Sequence, residues 1–268
     1  MRKHFFSERA EIMIFDTHTH TSFSSDSKMN IKDAINKAKA LDIGLIITDH
    51  MDLNYPEKDK FKFNVDDYFK TYEAYKSPSL LLGIELGMDT GFEKENASLI
   101  KSYNFDQVIG SQHFLHGFDI YDSALYDAKT KEELFRDYFL EIIASLKTHS
   151  YIDTLGHIDF ISRYCPFDDK EIYYRDYSDH IDEIIKLCIS YGISMEINSR
   201  RLGNPTAFNP LIDIYRRYKE LGGEYVTIGS DAHYAEYIGS NINKGLAIAE
   251  TLGLRPIYFK DRRAEYMK

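Results

Sequence analysis

Six of the chain's ten histidines recur at one kind of place, at or just past the end of a short apolar run and beside carboxylates. They stand in Thr17-His18-Thr19-His20, Thr48-Asp49-His50, Ser111-Gln112-His113, Gly156-His157-Ile158-Asp159 and Asp231-Ala232-His233. Imidazoles and carboxylates are the ligands of divalent transition metals. One histidine after a strand is commonly a satisfied core residue. The same placement on successive strands is what a polynuclear metal site assembled from the whole chain requires.

The individual residues carry different weight. His18 and His20 are two apart in extended chain, so both rings project to one side and can reach one metal or two adjacent metals. Asp26 lies in Ser24-Ser25-Asp26-Ser27, where an aspartate also serves to form a turn or cap a helix. His50 follows the buried run Ile46-Ile47, where a polar residue needs a partner. Glu85 ends Leu80-Leu81-Leu82-Gly83-Ile84; a carboxylate there can bridge two cations or close a salt bridge. His113, His157, Asp231 and His233 repeat the placement. His116, three residues past His113, is positioned to face a substrate, whereas His4, His149 and His180 lack the pattern and read as solvated surface residues. Nine candidate ligands (His18, His20, Asp26, His50, Glu85, His113, His157, Asp231 and His233) are too many for one cation. At four to five coordination, with a bridging carboxylate and shared water, they suit three divalent ions, with zinc, iron and manganese equally compatible. Three divalent ions over three carboxylates leave an excess of positive charge, which a phosphate monoester dianion with a hydroxide would neutralise. Phosphoryl chemistry therefore fits better than neutral amide hydrolysis.

Alternating elements must hold these residues. Apolar runs predict strands at Met13 to Asp16, Ile43 to Thr48, Leu80 to Glu85, Asp106 to Gly110, Ile152 to Leu155, Ser194 to Asn198 and Tyr225 to Ile228. Between them, apolar residues at three and four residue spacing predict helices, for example at Ile31 to Leu41, Val65 to Tyr75, Glu132 to Leu146, Tyr177 to Tyr191 and Leu211 to Leu221. Asn209-Pro210 and Gly222-Gly223 bracket the last. Seven strands each followed by a helix, with no hairpin signal, predict a parallel sheet, and no glycine-rich phosphate loop follows the first strand. An α/β closed or distorted barrel is favoured, in which catalytic residues come from the C-terminal ends of the strands.

Composition bounds the function. At 268 residues and 43% hydrophobic content, the chain buries a substantial core as one domain. Residues 1–12 have no clear period and read as an N-terminal extension. Neither a long apolar run nor the apolar stretch of a secretory signal is present, and Cys165 and Cys188 provide no disulfide framework. These features fit a soluble cytoplasmic protein without a membrane partner. The net charge of -10 opposes general attraction to nucleic acid but leaves room for a local cationic pocket.

The motifs His18-Thr19-His20-Thr21, Thr48-Asp49-His50, Gly83-Ile84-Glu85, Gly110-Ser111-Gln112-His113, Gly156-His157 and Ser230-Asp231-Ala232-His233 resemble, in order, those of the polymerase and histidinol phosphatase (PHP) superfamily. Gly110-Ser111-Gln112-His113-Phe114-Leu115 with Phe118-Asp119 is similar to its histidinol-phosphate phosphatase branch. The resemblance spans Met13 to about Gly253 and implies a single domain over 13–268, a distorted (β/α)7 TIM-like barrel with a trinuclear site. It also implies hydrolysis of L-histidinol phosphate, in histidine biosynthesis, by metal-activated hydroxide. It further implies His18, His20, Glu85 and Asp231 around a first metal, Glu85, His113 and His157 around a second, and Asp26, His50 and His233 around a third. Glu85 would then be the bridge, and Asp231, His233 or a metal-bound water the proton donor to the leaving alkoxide.

Arg163 lies six residues beyond His157, and Arg200-Arg201 follows the sixth strand; guanidinium groups there match a phosphate in two-point geometry. Arg163 and one of Arg200 and Arg201 are therefore candidate phosphate ligands, against the alternative of solvated or carboxylate-paired arginines. Phe114, Phe118 and Tyr164 are placed to stack on an imidazole or simply to pack. Competing readings are a nucleic-acid phosphodiesterase, disfavoured by the acidic balance, a protein-tyrosine phosphatase, and a non-catalytic metal-binding module, which would lack the cationic pocket. The oligomeric state is not legible.

Overall fold

The computed structural model describes residues 13–267, so the expected extension over 1–12, with His4, lies outside the described residues. The strands are β1 (Phe15–Thr19), β2 (Gly44–Ile47), β3 (His50–Met51), β4 (Leu80–Leu82), β5 (Ile84–Gly87), β6 (Val108–Ser111), β7 (Phe114–Leu115), β8 (Phe118–Asp119), β9 (Thr154–Leu155), β10 (Ser194–Asn198), β11 (Tyr225–Gly229), β12 (Arg255–Lys260) and β13 (Arg263–Tyr266). The helices are α1 (Ile31–Leu41), α2 (Val65–Tyr72), α3 (Glu93–Ser102), α4 (Lys131–Thr148), α5 (Ile161–Tyr164), α6 (Ser178–Tyr191), α7 (Pro205–Glu220) and α8 (Ile242–Leu252).

The result is a single-domain α/β fold. A small parallel sheet has the order β1-β2-β4, and a larger one runs β13-β12-β11-β10-β9-β6-β5-β3. Among the described residues neither sheet's strand order closes on itself. The expected strand 80–85 is divided between the sheets, yielding β4 and β5 with Gly83 at the break, while 43–48 yields β2, after which β3 enters the larger sheet. Gly83 donates to Ile47 O at 2.7 Å and Glu85 to Asp49 O at 3.1 Å, so pairing continues across the break. At the other edge β1 meets the turn after β11, where Asp231 N donates to His18 O at 2.8 Å and His20 N to Ala232 O at 2.9 Å.

Helices cover the sheets because their apolar faces have nowhere else to go. α4 starts in a capping box between Thr130 and Glu133 and buries Leu134, Phe135, Tyr138, Phe139, Ile142 and Leu146. These join Ile181, Ile184 and Ile185 of α6 and strand residues such as Ile84, Val108 and Ile197 in one core. Each fully buried side chain of this size contributes roughly 1.5–3 kcal/mol. Cys165 and Cys188 are buried free thiols, and among the described residues no helix is long and apolar enough to cross a membrane.

Several expectations are corrected. The sheets are not purely parallel, since β7–β8 and β12–β13 are antiparallel hairpins. Both turn in two residues with positive φ, His116-Gly117 and Asp261-Arg262, the left-handed geometry that matches strand twist. The second pair lacks glycine and the first resembles a loop, so neither stood out. The segment after β6 is a hairpin and α5 is a single turn, so helices do not follow every strand in the simple pattern. α7 starts at Pro205, capped by the Asn204 side chain, and Pro210 sits buried inside it. His149 is buried rather than solvated: it ends α4, with Nδ1 3.0 Å from Ser145 O and Nε2 3.2 Å from the Asn96 amide.

The break at Gly83 has no room for a side chain. A Cβ there would lie 2.7 Å from Gln107 O and 3.0 Å from the Thr48 methyl. Gly83→Ala is expected to lower unfolding free energy by about 1–3 kcal/mol, measured by denaturant titration; an unchanged midpoint would refute the packing argument.

Candidate metal centre

The sequence brings polar side chains to one end of a parallel array because each follows an apolar strand that the core pins in place. His18 lies on β1, His50 on β3 and Glu85 on β5, while His20, His113, His157, Asp231 and His233 stand one to four residues past β1, β6, β9 and β11. Asp26 enters from the loop before α1. All nine meet in one cluster.

Glu85 is its centre, fully buried. Its Oε1 lies 2.8 Å from His157 Nε2 and 3.3 Å from His113 Nε2. Its Oε2 lies 2.9 Å from His50 Nδ1, 3.2 Å from His18 Nε2 and 3.4 Å from His20 Nε2. Asp231 Oδ1 is 3.2 Å from His20 Nε2 and 3.8 Å from His18 Nε2. Asp26 Oδ2 is 3.0 Å from His233 Nε2 and 3.7 Å from His50 Nε2. The His20 ring stacks between His50 and His233, with centroids 4.3 and 4.1 Å away. Four overlapping triads have ligand atoms within 4.8 Å of one another: His18-His20-Asp231, His18-Glu85-His157, His50-Glu85-His113 and His20-His50-His233.

A set of outer acceptors turns the rings inward. His18 Nδ1 lies 2.7 Å from Glu196 Oε1, His20 Nδ1 3.1 Å from Ser24 Oγ, His113 Nδ1 2.8 Å from Asp52 Oδ1 and His233 Nδ1 3.0 Å from Asp231 O. A ring that donates from Nδ1 presents the Nε2 lone pair to the centre, the arrangement that orients a metal-binding imidazole. Glu196 also accepts from His157 N at 2.8 Å. Asp49 accepts from the backbone and hydroxyl of both Thr21 and Ser24. Asp16 binds Ser230 and Gly239, fixing the turn in which Asp231 takes a φ of 55°. Burial pushes the Asp16 carboxyl up to about 6 despite these bonds.

The donor set fits metal ions. His18 Nε2 and His20 Nε2 stand 3.1 Å apart; with both Nδ1 atoms directed outward, two lone pairs oppose each other unless a cation or proton intervenes. Glu85 Oε2 and His50 Nδ1, although 2.9 Å apart, and His113 Nε2 are buried without a well-aligned hydrogen bond among the described residues. Converging buried acceptors are costly, and divalent cations remove that cost. Burial opposes charge on Glu85, yet His18, His50 and His113 hold its carboxyl well below the usual range. Burial likewise opposes charge on Asp231, which Arg163 and His18 hold well below the usual range.

A cavity of about 390 Å³ opens over the cluster, lined by Asp26, His50, His113, His157, Asp231 and His233 and by Arg163 and Arg200. Arg163 is buried; Nη1 pairs with Asp231, while Nε and Nη2 have no partner among the described residues. Arg200 is 43% exposed and lies 3.7 Å from Asp231 Oδ2. Arg201 is spoken for: it binds Asp159 at 2.7 Å and Glu171 at 2.7 and 2.8 Å, facing a neighbouring groove. His116 caps the β7–β8 turn and lies 3.1 Å from Asp137, away from the cavity lining. Phe114 and Tyr164 line the cavity, whereas Phe118 is 43% exposed on the surface.

Sequence reasoning passed over Glu196 and Asp52. Glu196 is a charge between Met195 and Ile197 in a buried strand, and Asp52 follows His50 at strand spacing; both were visible signals of a demand for charge.

Strand ends that present clustered imidazoles and carboxylates to a cavity define a class, the α/β proteins with a candidate metal centre. Residues 16–200 match the family model described as PHP domain, and the chain belongs to the PHP domain family. It is 48% identical over 254 residues to a probable histidinol-phosphatase of Clostridium acetobutylicum, covering 95% of this chain and all of that one. It is 29% identical over 249 residues to the histidinol-phosphatase of Lactococcus lactis, covering 90% and 92%. The crystal structure of the Lactococcus lactis histidinol phosphate phosphatase, complexed with zinc, L-histidinol and phosphate, superposes with a TM-score of 0.88 at 28% identity, covering 94% of this chain and 98% of that one.

Because Glu196 sets the His18 ring and holds the His157 backbone, Glu196→Ala is expected to weaken metal affinity by roughly 10- to 100-fold. Competition with a chromophoric chelator measures this, and retention equal to wild type would remove Glu196 from the site.

Proposed function

We propose that this protein is a metal-dependent phosphomonoesterase that hydrolyses L-histidinol phosphate to L-histidinol and phosphate. The observation that carries the reading is a nine-residue ligand cluster opening into a small cavity beside Arg163, two of whose donors have no hydrogen-bond partner among the described residues. The volume of about 390 Å³ suits a small ester rather than a polymer. The close similarity to histidinol-phosphatases supports the choice of alcohol. We read the two sheets as a distorted (β/α)7 barrel whose strand ends form the site, and the buried free thiols as fitting a reducing cytoplasm.

Three divalent ions, with zinc favoured by the Lactococcus lactis complex, would be held by His18, His20, Glu85 and Asp231, by Glu85, His113 and His157, and by Asp26, His50 and His233. When bound, such ions neutralise phosphate charge and lower the pKa of the attacking water. The chain's own residues do the rest. Glu85 directs one oxygen toward His18 and His20 and the other toward His113 and His157, which places it to bridge two sites. Arg163, which lines the cavity while Nη1 anchors it to Asp231, contributes its guanidinium charge to a phosphate oxygen, and Arg200 adds a second cation at the rim. Asp231, held ionised by Arg163, carries no proton to donate. His233 commits Nδ1 to a backbone carbonyl and turns Nε2 toward Asp26. Neither then protonates the leaving alkoxide, and water in the cavity does so.

Phosphate release from histidinol phosphate, phosphotyrosine, a nucleotide monoester and a diester, by protein of measured metal content, tests the reading. Histidinol phosphate is expected to exceed the others by at least about tenfold in kcat/KM, with Glu85→Gln losing most of that activity together with metal. Preference for another ester would overturn the assigned substrate. For Arg163→Ala, loss of charge-assisted bonds to phosphate predicts a KM increase of about 10- to 100-fold; an unchanged KM would exclude the arginine from phosphate binding.

A further inference from the structure

The metal cluster and arginines account for a phosphate, but not for the aromatic wall of the cavity. That wall carries Tyr55, Phe114, Tyr121 and Tyr164 and a single further carboxylate, Asp119. The other carboxylates lining the cavity are engaged: Asp26 with His233, Asp52 with His113, and Asp231 with Arg163. Asp119 forms no ion pair among the described residues. Lys60, the remaining cation of the wall, is 2.9 Å from Glu57 and lies over the Tyr55 ring.

Asp119 is also held still. It ends β8, paired with Phe114 of β7, and its Oδ1 accepts from Tyr121 N at 2.8 Å. The next residue ties the hairpin to a ligand, since Ile120 N donates to His113 O at 2.9 Å. The hairpin therefore fixes this carboxylate relative to the metal centre. A lone carboxylate in an aromatic wall is poorly solvated and gains most from a cationic N–H partner.

We propose that Asp119 is a specificity-determining residue that receives the cationic N–H donor carried by the alcohol portion of the substrate, the ammonium or the imidazolium of histidinol phosphate. This rests on the proposed function. Phosphate binds on the Arg163 side, the alcohol extends toward the hairpin, and Asp119 pairs with its charge between the rings of Tyr55 and Tyr121. Esters without a cation gain nothing from it.

The test is steady-state kinetics of metal-loaded wild type and Asp119→Asn on three esters: histidinol phosphate, its analogue lacking the amino group, and p-nitrophenyl phosphate. Asparagine keeps the acceptor for Tyr121 N, so the hairpin survives. The expected result is a fall of about 10- to 100-fold in kcat/KM for histidinol phosphate, through KM, with less than about twofold change for p-nitrophenyl phosphate. A matching fall for the deamino analogue identifies the imidazolium as the partner; an unchanged value identifies the ammonium. Equal loss on histidinol phosphate and p-nitrophenyl phosphate, or no loss on either, overturns the role of Asp119 and leaves the proposed function standing. Wild-type protein inactive on histidinol phosphate but active on p-nitrophenyl phosphate overturns the proposed function, and this inference with it.

Discussion

A single buried carboxylate organises the molecule's working end. Glu85 has no solvent contact, and its two oxygens face two different groups of imidazoles. An isolated charge at such a depth is untenable. It persists because the strands converge enough ring nitrogens on it, and because those nitrogens in turn call for cations. Remove the carboxylate and the ring nitrogens face one another with nothing to hold them; remove the rings and the carboxylate is stranded.

That constraint propagates outward. The rings hold their orientation only while Glu196, Ser24, Asp52 and the Asp231 carbonyl accept their outer N–H groups. Those acceptors are themselves fixed by neighbouring strands and loops, as Asp49 is by Thr21 and Ser24 and as the Asp231 turn is by Asp16. Buried polar layers of this kind are expensive unless fully satisfied. The large apolar core beneath them supplies the stability that tolerates the cost, and Gly83 lets the Glu85 strand pass close enough to its neighbours.

Much of the site was legible because strand ends and metal ligands leave strong local marks. All nine candidate ligands carry a side chain suited to metals, all but Asp26 stand at or just past an apolar run, and the structure brings them together. The outer acceptors were harder. Glu196 is marked in the sequence only as a charge inside a buried strand, and its partner is known only once the His18 ring is found 2.7 Å away. Arg200 and Arg201 are adjacent and chemically alike, and only the positions of Asp159 and Glu171 remove Arg201 from the cavity. His149 has no neighbouring motif, and its burial follows from how α4 ends against Asn96.

The amino-acid sequence by itself determined the alternation of strands and helices, the chemistry of the ligands and the family, because periodicity and residue type are local properties of a chain. The tertiary structure decided which oxygen of Glu85 faces which rings, which arginine keeps free donors, and where Asp119 meets the cavity. These depend on distances of a few ångströms between segments far apart in sequence, set by packing and by hydrogen bonds that no single segment encodes.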